Sequence, residues 1–189
     1  MLDIVQNGDP VLRTTAAEIL PADISSPKIQ KILNDMTVAL EAQEDGVAIA
    51  APQIGVPLRI FVVSHRALAI EKEEETGIPA DETPSTKKSK NLVFINPEIL
   101  KLSKKRHWVP EGCLSVRWLY GKVLRAEKTS VRAYDETGKR FTRNGNGLMA
   151  QIFQHETDHL NGALFIDKAR GIEEIHPEDL REGARLSHD

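Results

Sequence analysis

The sequence predicts an α+β fold, short antiparallel strands packed on two main helices, and three observations carry that prediction. Ile29, Ile32, Leu33, Met36, Ala39 and Leu40 recur at helical spacing. Leu148, Ile152, His155 and His159 form a second helical stripe, falling within about 60° of one another at roughly 100° per residue. Between the two stripes the chain offers brief apolar runs broken by Gly, Pro, Asn and Asp, the alternation of strands and turns.

Taken in order, residues 1–24 show little periodicity and read as an extended arm with turns at Gly8-Asp9-Pro10 and at Pro21. Ser25-Ser26-Pro27 is a helix start, with serine as cap and proline in the first turn. The helix it opens spans 27–44 and stops at Asp45-Gly46, its apolar stripe facing the core. The stretch Gly46-Val47-Ala48-Ile49-Ala50-Ala51-Pro52-Gln53 is too marked by glycine and proline for regular structure. Leu58 to Val63 and Leu92 to Ile95 read as strands, and the run 71–90 between them, rich in Glu, Lys, Thr and Pro, as a mobile loop insertion. Trp108 and Trp118 bracket the cysteine as shields or packing anchors. Lys122–Ala126, Thr129–Tyr134 and Arg140–Arg143 resemble an antiparallel meander, with Asp135-Glu136-Thr137-Gly138 as a hairpin turn. The second stripe ends at Asn161-Gly162, a helix stop. Residues 168–189 form a polar tail in which Pro177 opens a short helix.

A chain of 189 residues, 40% apolar and 28% charged, is expected to form a single domain, 1–189, with a sizeable core. No apolar run reaches the roughly 18 to 20 residues that cross a bilayer. A formal net charge of −3 exerts no pull toward nucleic acid. Met1-Leu2-Asp3 leads straight into the domain, and a lone cysteine suits a reducing compartment, so the expected location is the cytoplasm, bacterial by default, or an organelle after trimming of a transit segment.

The chemistry concentrates in Gln154-His155-Glu156-Thr157-Asp158-His159. Histidines at i and i+4 of one helix can grip one divalent ion, and the intervening glutamate sits about 80° round from the stripe, beside the metal rather than on it, where a general base would stand. Asp158 lies about 80° to the other side and either orients a ligand or pairs with a cation such as Arg125. A third ligand is needed. Position 165, the third histidine of one protease pattern, is Phe165. Glu173, Glu174 and Glu178 are available but lie in the polar tail. Upstream, Glu111-Gly112-Cys113-Leu114-Ser115 holds the only cysteine, by default a small buried hydrophobe. Its setting beside a glycine, between a glutamate and a serine, points instead to a Cys-His-His site with one open position, the catalytic arrangement.

Together the stretches 154–159, 111–115 and 46–53, in that family's order, resemble the three signature motifs of peptide deformylases. Gly8-Asp9-Pro10-Val11-Leu12-Arg13 and Leu164-Phe165-Ile166-Asp167 are similar to the family's flanking segments, so the resemblance covers about residues 4 to 168. It implies a fold of short antiparallel sheets around a central HExxH helix and a hydrolase that removes formate from the N-formylmethionine of nascent polypeptides. It implies one divalent ion on Cys113, His155 and His159, iron(II) as in similar enzymes, with zinc, nickel or cobalt able to substitute. Glu156 would then be the base, and the Gln53 amide and the Leu114 N–H the oxyanion donors. Peptide would lie along Gly46, Val47, Ala48, Glu111 and Gly112, with its methionine against Leu148 and Ile152. Ala48 stands where the family usually has a second glycine. The implied partners are formylmethionyl nascent chains, with transient ribosome contact, although the tail with Glu173, Glu174, Glu178 and Asp179 has few basic residues for it. No membrane or nucleic-acid partner is expected.

A zinc endopeptidase and a metal-stabilised binding module are the competing readings. The first needs a third ligand other than Cys113, and the second a closed site without exchangeable water.

Overall fold

The computed structural model describes residues 3–77 and 90–176. Helix α1 runs Pro27–Glu41, its first turn capped by the Ser26 hydroxyl, which accepts the Ile29 N–H. It stops three residues before the expected end. Strands β1 (Ala48–Ala50) and β2 (Ile60–Val63) follow, joined by a 3-10 turn at Ala51–Ile54, so the stretch 46–53 contains regular structure after all. Then come helix α2 (His65–Thr76), the long β3 (Leu92–Leu102), β4 (Arg106–Cys113), β5 (Val116–Ala126), β6 (Lys128–Tyr134), β7 (Arg140–Asn146), helix α3 (Gly147–Leu160) and β8 (Arg170–Glu174).

Two antiparallel sheets organise these strands, one of order β1-β2-β3-β6-β7 and one of order β4-β5-β8. The five-stranded sheet is the middle layer of a sandwich. From β2, Ile60 and Val62 join the α1 side with Leu33, Met36 and Leu40, while Phe61 and Val63 join the α3 side with Met149, Ile152 and Phe153. A strand buried on both faces reads as an unbroken apolar run, which is why Ile60-Phe61-Val62-Val63 shows no alternation. Phe61 and Phe94 stack at 4.5 Å between centroids, and Phe153 of α3 closes on Phe94 at 5.2 Å. The smaller sheet covers its own core of Leu12, Val116, Val123, Leu164 and Phe165.

Three further expectations change. The run 71–90 is not all loop: Ser64 caps α2, and Glu71 is buried and paired with Arg143 at 2.6 Å, so the helix extends to Thr76. Residues 78–89 lie outside the described residues, as do Pro177, Glu178 and Asp179. The expected three-strand meander is a single hairpin, β6 with β7. Strand β5 belongs to the other sheet, because after Ala126 the chain crosses from one sheet to the next. That crossing is fixed by Gln154, whose amide accepts the Ala126 N–H (2.9 Å) and donates to the Ala126 carbonyl (3.0 Å). Finally, residues 170–174 of the tail are an edge strand against Leu119, Tyr120 and Lys122.

Candidate active site

Helix α3 lies against the sheet, and its stripe continues to His155 and His159, which therefore emerge together toward the end of β4. Cys113 is the last residue of β4, where the register slips between Gly112 and Cys113 as the chain turns into β5. The slip needs a glycine: a Cβ on Gly112 would come within 2.7 Å of the Tyr120 ring. The turn delivers the Cys113 Sγ to 3.2 Å from the Nε2 of His159, and the ligand atoms of Cys113, His155 and His159 all lie within 4.8 Å of one another.

The donor set fits a divalent ion. In a tetrahedral shell with metal–sulfur near 2.3 Å and metal–nitrogen near 2.0 Å, donors stand about 3.5 Å apart, so these three need only small adjustments to close on a cation. The Glu156 Oε2 and the His159 Nδ1 are buried without a hydrogen-bond partner among the described residues. A buried carboxylate oxygen without a partner costs free energy unless a cation or its water completes the site.

A chain of charges sets the ligand behind that face. The Nδ1 of His155 lies 3.0 Å from the Oε2 of Glu111, which leaves the Nε2 for the ion. Glu111 is gripped by both prongs of Arg125, at 2.7 and 2.9 Å. Arg125 also donates to Asp158 at 2.7 Å, the pairing expected from the sequence, and Asp158 accepts from Lys168 at 2.6 Å. Burial would raise the Glu111 carboxyl, but the hydrogen bonds from Arg125 and His155 outweigh it and bring its pKa down to about 2. Glu111 was expected along the peptide groove. Its carboxylate is committed to Arg125 and His155, so it positions a ligand. Glu156 has no such support, and burial pushes its pKa up to about 7, against the pull of His155. A carboxyl group poised there is matched to taking and returning a proton near neutrality.

Gln53 is 2% exposed. Its Oε1 accepts the Ala50 N–H at 2.8 Å, which aims the Nε2 at the Ser115 hydroxyl (3.2 Å) and the Cys113 sulfur (3.6 Å). A cavity of about 450 Å³ opens over these groups. Every residue expected to hold the ion, act on the substrate or line its groove contributes to the wall except His159, which is 1% exposed; Asp158, Arg125 and Trp108 do not line it. Gly46, Val47, Ala48, Gly112 and Leu114 line it beside Leu148 and Ile152. Ala48 lies in β1 opposite Val63 and is not among the residues of positive φ, so the alanine adopts ordinary extended backbone. The sequence did not flag Asp45, Arg117, Leu119 and Tyr120, which also line the cavity. The only signal was their nearness to the two motifs.

The comparisons agree with this geometry. Residues 1–174 match the family model for polypeptide deformylase. The chain is 42% identical over 166 residues to peptide deformylase 1A, chloroplastic/mitochondrial, of Arabidopsis thaliana, a match covering 88% of this chain and 60% of that one. With a peptide deformylase of Prochlorococcus marinus (strain NATL2A) the identity is 36% over 174 residues, covering 92% of this chain and 76% of the relative. The match thus spans about three fifths of the plant relatives it resembles. Among solved structures, the peptide deformylase of Synechococcus elongatus in complex with actinonin superposes with a TM-score of 0.71 at 30% identity, over 98% of this chain and 85% of that one. The Met-Ala-Ser-bound class I type b enzyme of Acinetobacter baumannii gives a TM-score of 0.73 at 30% identity, over 88% and 98%. A family model spanning most of the chain, together with converging cysteine and histidine donors beside a buried glutamate, establishes that the chain belongs to the polypeptide deformylase family.

Proposed function

We propose that this protein is a peptide deformylase, a metal-dependent hydrolase that removes the N-formyl group from the N-terminal formylmethionine of newly made polypeptides and releases formate. The observation that carries the reading is the convergence of Cys113, His155 and His159 beside an unpartnered buried Glu156 at the floor of the cavity. A divalent ion held by those three side chains supplies a Lewis acid and a water of lowered pKa. Iron(II) is the proposed ion, one per chain, with zinc, nickel or cobalt as working substitutes.

Glu156 accepts the proton of the attacking water. As the formyl carbon becomes tetrahedral, the Gln53 amide and the Leu114 N–H face the developing oxyanion, each such donor contributing about 3 kcal/mol. Glu156 then returns its proton to the amine as the C–N bond breaks, giving formate and a free N-terminus. Glu111 and Arg125 hold His155 in place throughout.

The substrate backbone would add as a strand between Gly46-Val47-Ala48 and Gly112, giving affinity that ignores most side chains. Its methionine enters the apolar side of the cavity formed by Leu148 and Ile152. The Acinetobacter enzyme was solved with Met-Ala-Ser bound, which supports a short peptide as the kind of ligand this cavity takes. A thiolate ligand suits a reducing compartment, so we place the activity in the cytoplasm, where nascent chains and a transient ribosome contact would supply substrate. Among the described residues no helix is long and apolar enough to cross a membrane.

The test is formate release from a formyl-Met peptide by anaerobically prepared, iron-loaded protein beside its Glu156→Ala variant. Release by the wild type and at least a hundredfold less by the variant, at equal metal content, is the expected result. Equal rates would remove Glu156 from the chemistry.

A further inference from the structure

The walls of the active-site cavity come from different sheets. Gly46 and Val47 lead into β1, an edge strand of the five-stranded sheet, while Pro110 and Gly112 stand on β4, an edge strand of the smaller one. Neighbouring strands lie about 4.8 Å apart, so a peptide that pairs with both edges needs them held about 10 Å from each other. A groove between two sheets keeps such a width only if something crosses it.

Two side chains do. Near the metal ligands the crossing is made by Gln53, whose Nε2 reaches Ser115 and the Cys113 sulfur. At the other end of the Gly46–Ala48 segment it is made by Arg117 of β5, whose Nη1 donates to Asp45 at 2.7 Å and whose Nη2 donates to Asp45 at 3.3 Å and to the Gln43 amide oxygen at 2.6 Å. Asp45 and Arg117 both line the cavity. The loop that carries Asp45 is also held from behind, because the Arg66 guanidinium of α2 donates to the carbonyls of Leu40, Gln43 and Glu44 at 3.1, 2.8 and 3.2 Å. Arg66 sets the loop against α2, and Arg117 sets it against the smaller sheet.

We propose that the Arg117–Asp45 pair positions the substrate groove: it is a strap that holds the Gly46–Ala48 edge at strand spacing from Gly112 before the peptide arrives. The inference rests on the deformylase reading. Strand β1 runs from Ala48 toward Gln53 and the metal ligands, so Asp45 lies on the side away from the formyl group, where roughly the third residue of the peptide would pass. Among the described residues neither Asp45 nor Arg117 bonds Glu156, Gln53 or Leu114, so loss of the pair leaves the proton transfer alone. A groove already at its bound width spares the peptide the cost of ordering it, and that saving appears as affinity.

The experiment measures formyl-Met-Ala-Ser hydrolysis by iron-loaded wild type, Arg117→Met, Asp45→Ala, the double variant and Arg117→Lys. Each of the first two variants is expected to raise KM about two- to fivefold at unchanged kcat, as suits a part-exposed ion pair. The double variant should be no worse than the poorer single one, since both break one contact. Lysine keeps the charge without the two-pronged grip and should restore part of the loss. A KM unchanged or lowered in Arg117→Met overturns the strap, as do single effects that multiply in the double variant. A second readout needs no turnover: in calorimetric titration the product peptide Met-Ala-Ser should bind Arg117→Met about two- to fivefold more weakly than wild type. If the wild type releases no formate, the deformylase reading fails and the titration decides the strap, equal affinities or no binding by the wild type refuting it.

Discussion

The Arg125 side chain is 6% exposed and holds three short carboxylate contacts, two to Glu111 and one to Asp158. It touches no donor atom of the metal site, yet through Glu111 it sets which nitrogen of His155 faces the ion. Replacing it with methionine would leave the buried Glu111 carboxylate with only His155 as partner, a loss on the order of 3–5 kcal/mol. Metal affinity should fall about 10- to 100-fold as His155 loses its orientation. Chelator competition on Arg125→Met checks the second effect, and an unchanged metal affinity would refute the positioning role. The cluster of Cys113, His155 and His159 was legible because spacing encodes it: His155 and His159 share a helix face, and Cys113 was the only cysteine to complete the set. The role of Glu111 was not legible. A glutamate beside a glycine in a motif looks the same whether it meets substrate or a buried arginine fourteen residues later, and only the pairing of β4 with β5 brings Glu111 and Arg125 together.

At the level of elements, α3 works as the hub because its polar side chains finish the backbone bonding of other elements. Gln154 stands in for a strand at Ala126, where β5 leaves one sheet and β6 enters the other. Gln154→Leu would strand a buried N–H and a buried carbonyl, each costing about 1–3 kcal/mol. Urea denaturation should show a midpoint lowered accordingly, and an unchanged midpoint would mean that Thr129 and the neighbouring strands hold the crossing alone. Past the helix end, Asp167 accepts the Leu164 N–H and pairs with Arg13, tying the N-terminal arm to the segment after α3. Burial would raise its carboxyl, but the hydrogen bonds from Arg13 and the Leu164 N–H, with the charges of Arg13 and Lys168, together outweigh it and the pKa is lowered. A depressed carboxylate contributes stability above its unfolded value, near 3.9, and loses it as pH falls through the lower folded value. The pair is well exposed, so the contribution is less than about 1 kcal/mol. The stability difference between wild type and Asp167→Asn should thus be constant above about pH 5 and shrink below about pH 4.

The same scale shows why some elements escaped the sequence. Strand β4 is an edge strand carrying Pro110, with its first three residues all exposed, so it has neither alternation nor an apolar run. Asn96-Pro97 looks like a strand end, yet Asn96 takes a left-handed torsion at a register shift and β3 continues to Leu102. Helix α2 is acidic along Glu71-Lys72-Glu73-Glu74, a composition that reads as solvated loop, but Glu71 turns inward to Arg143. Helix α1 was plain because its stripe and its Ser26 cap are both local features.

For the molecule as a whole, the site is assembled from β4, β5, the 3-10 turn after β1 and α3, and an ion held by Cys113, His155 and His159 would tie β4 of the smaller sheet to α3. Binding to the folded state alone stabilises it by mass action, about 2.7 kcal/mol at a free ion concentration of 100 times Kd. For a domain of this size that corresponds to a Tm rise of roughly 5–11 °C. Calorimetry of metal-loaded protein against protein stripped by a chelator under anaerobic conditions should show it, and Cys113→Ser should lose most of the difference. The fold class was legible because both helical stripes and the short unbroken apolar runs of the buried strands are local signals. The division into two sheets was not, since the choice at Ala126 is made by contacts from residues far along the chain.

The most direct test of the central claim is mass spectrometry of a formylmethionyl peptide of about ten residues after incubation with the iron-loaded protein. The account predicts one product, the intact peptide with its formyl group replaced by hydrogen, appearing together with an equal amount of formate and absent with Glu156→Ala. Shorter N-terminal fragments that still carry the formyl group would contradict it and point to an endopeptidase. An unaltered peptide, with metal bound through Cys113, would point to a binding module.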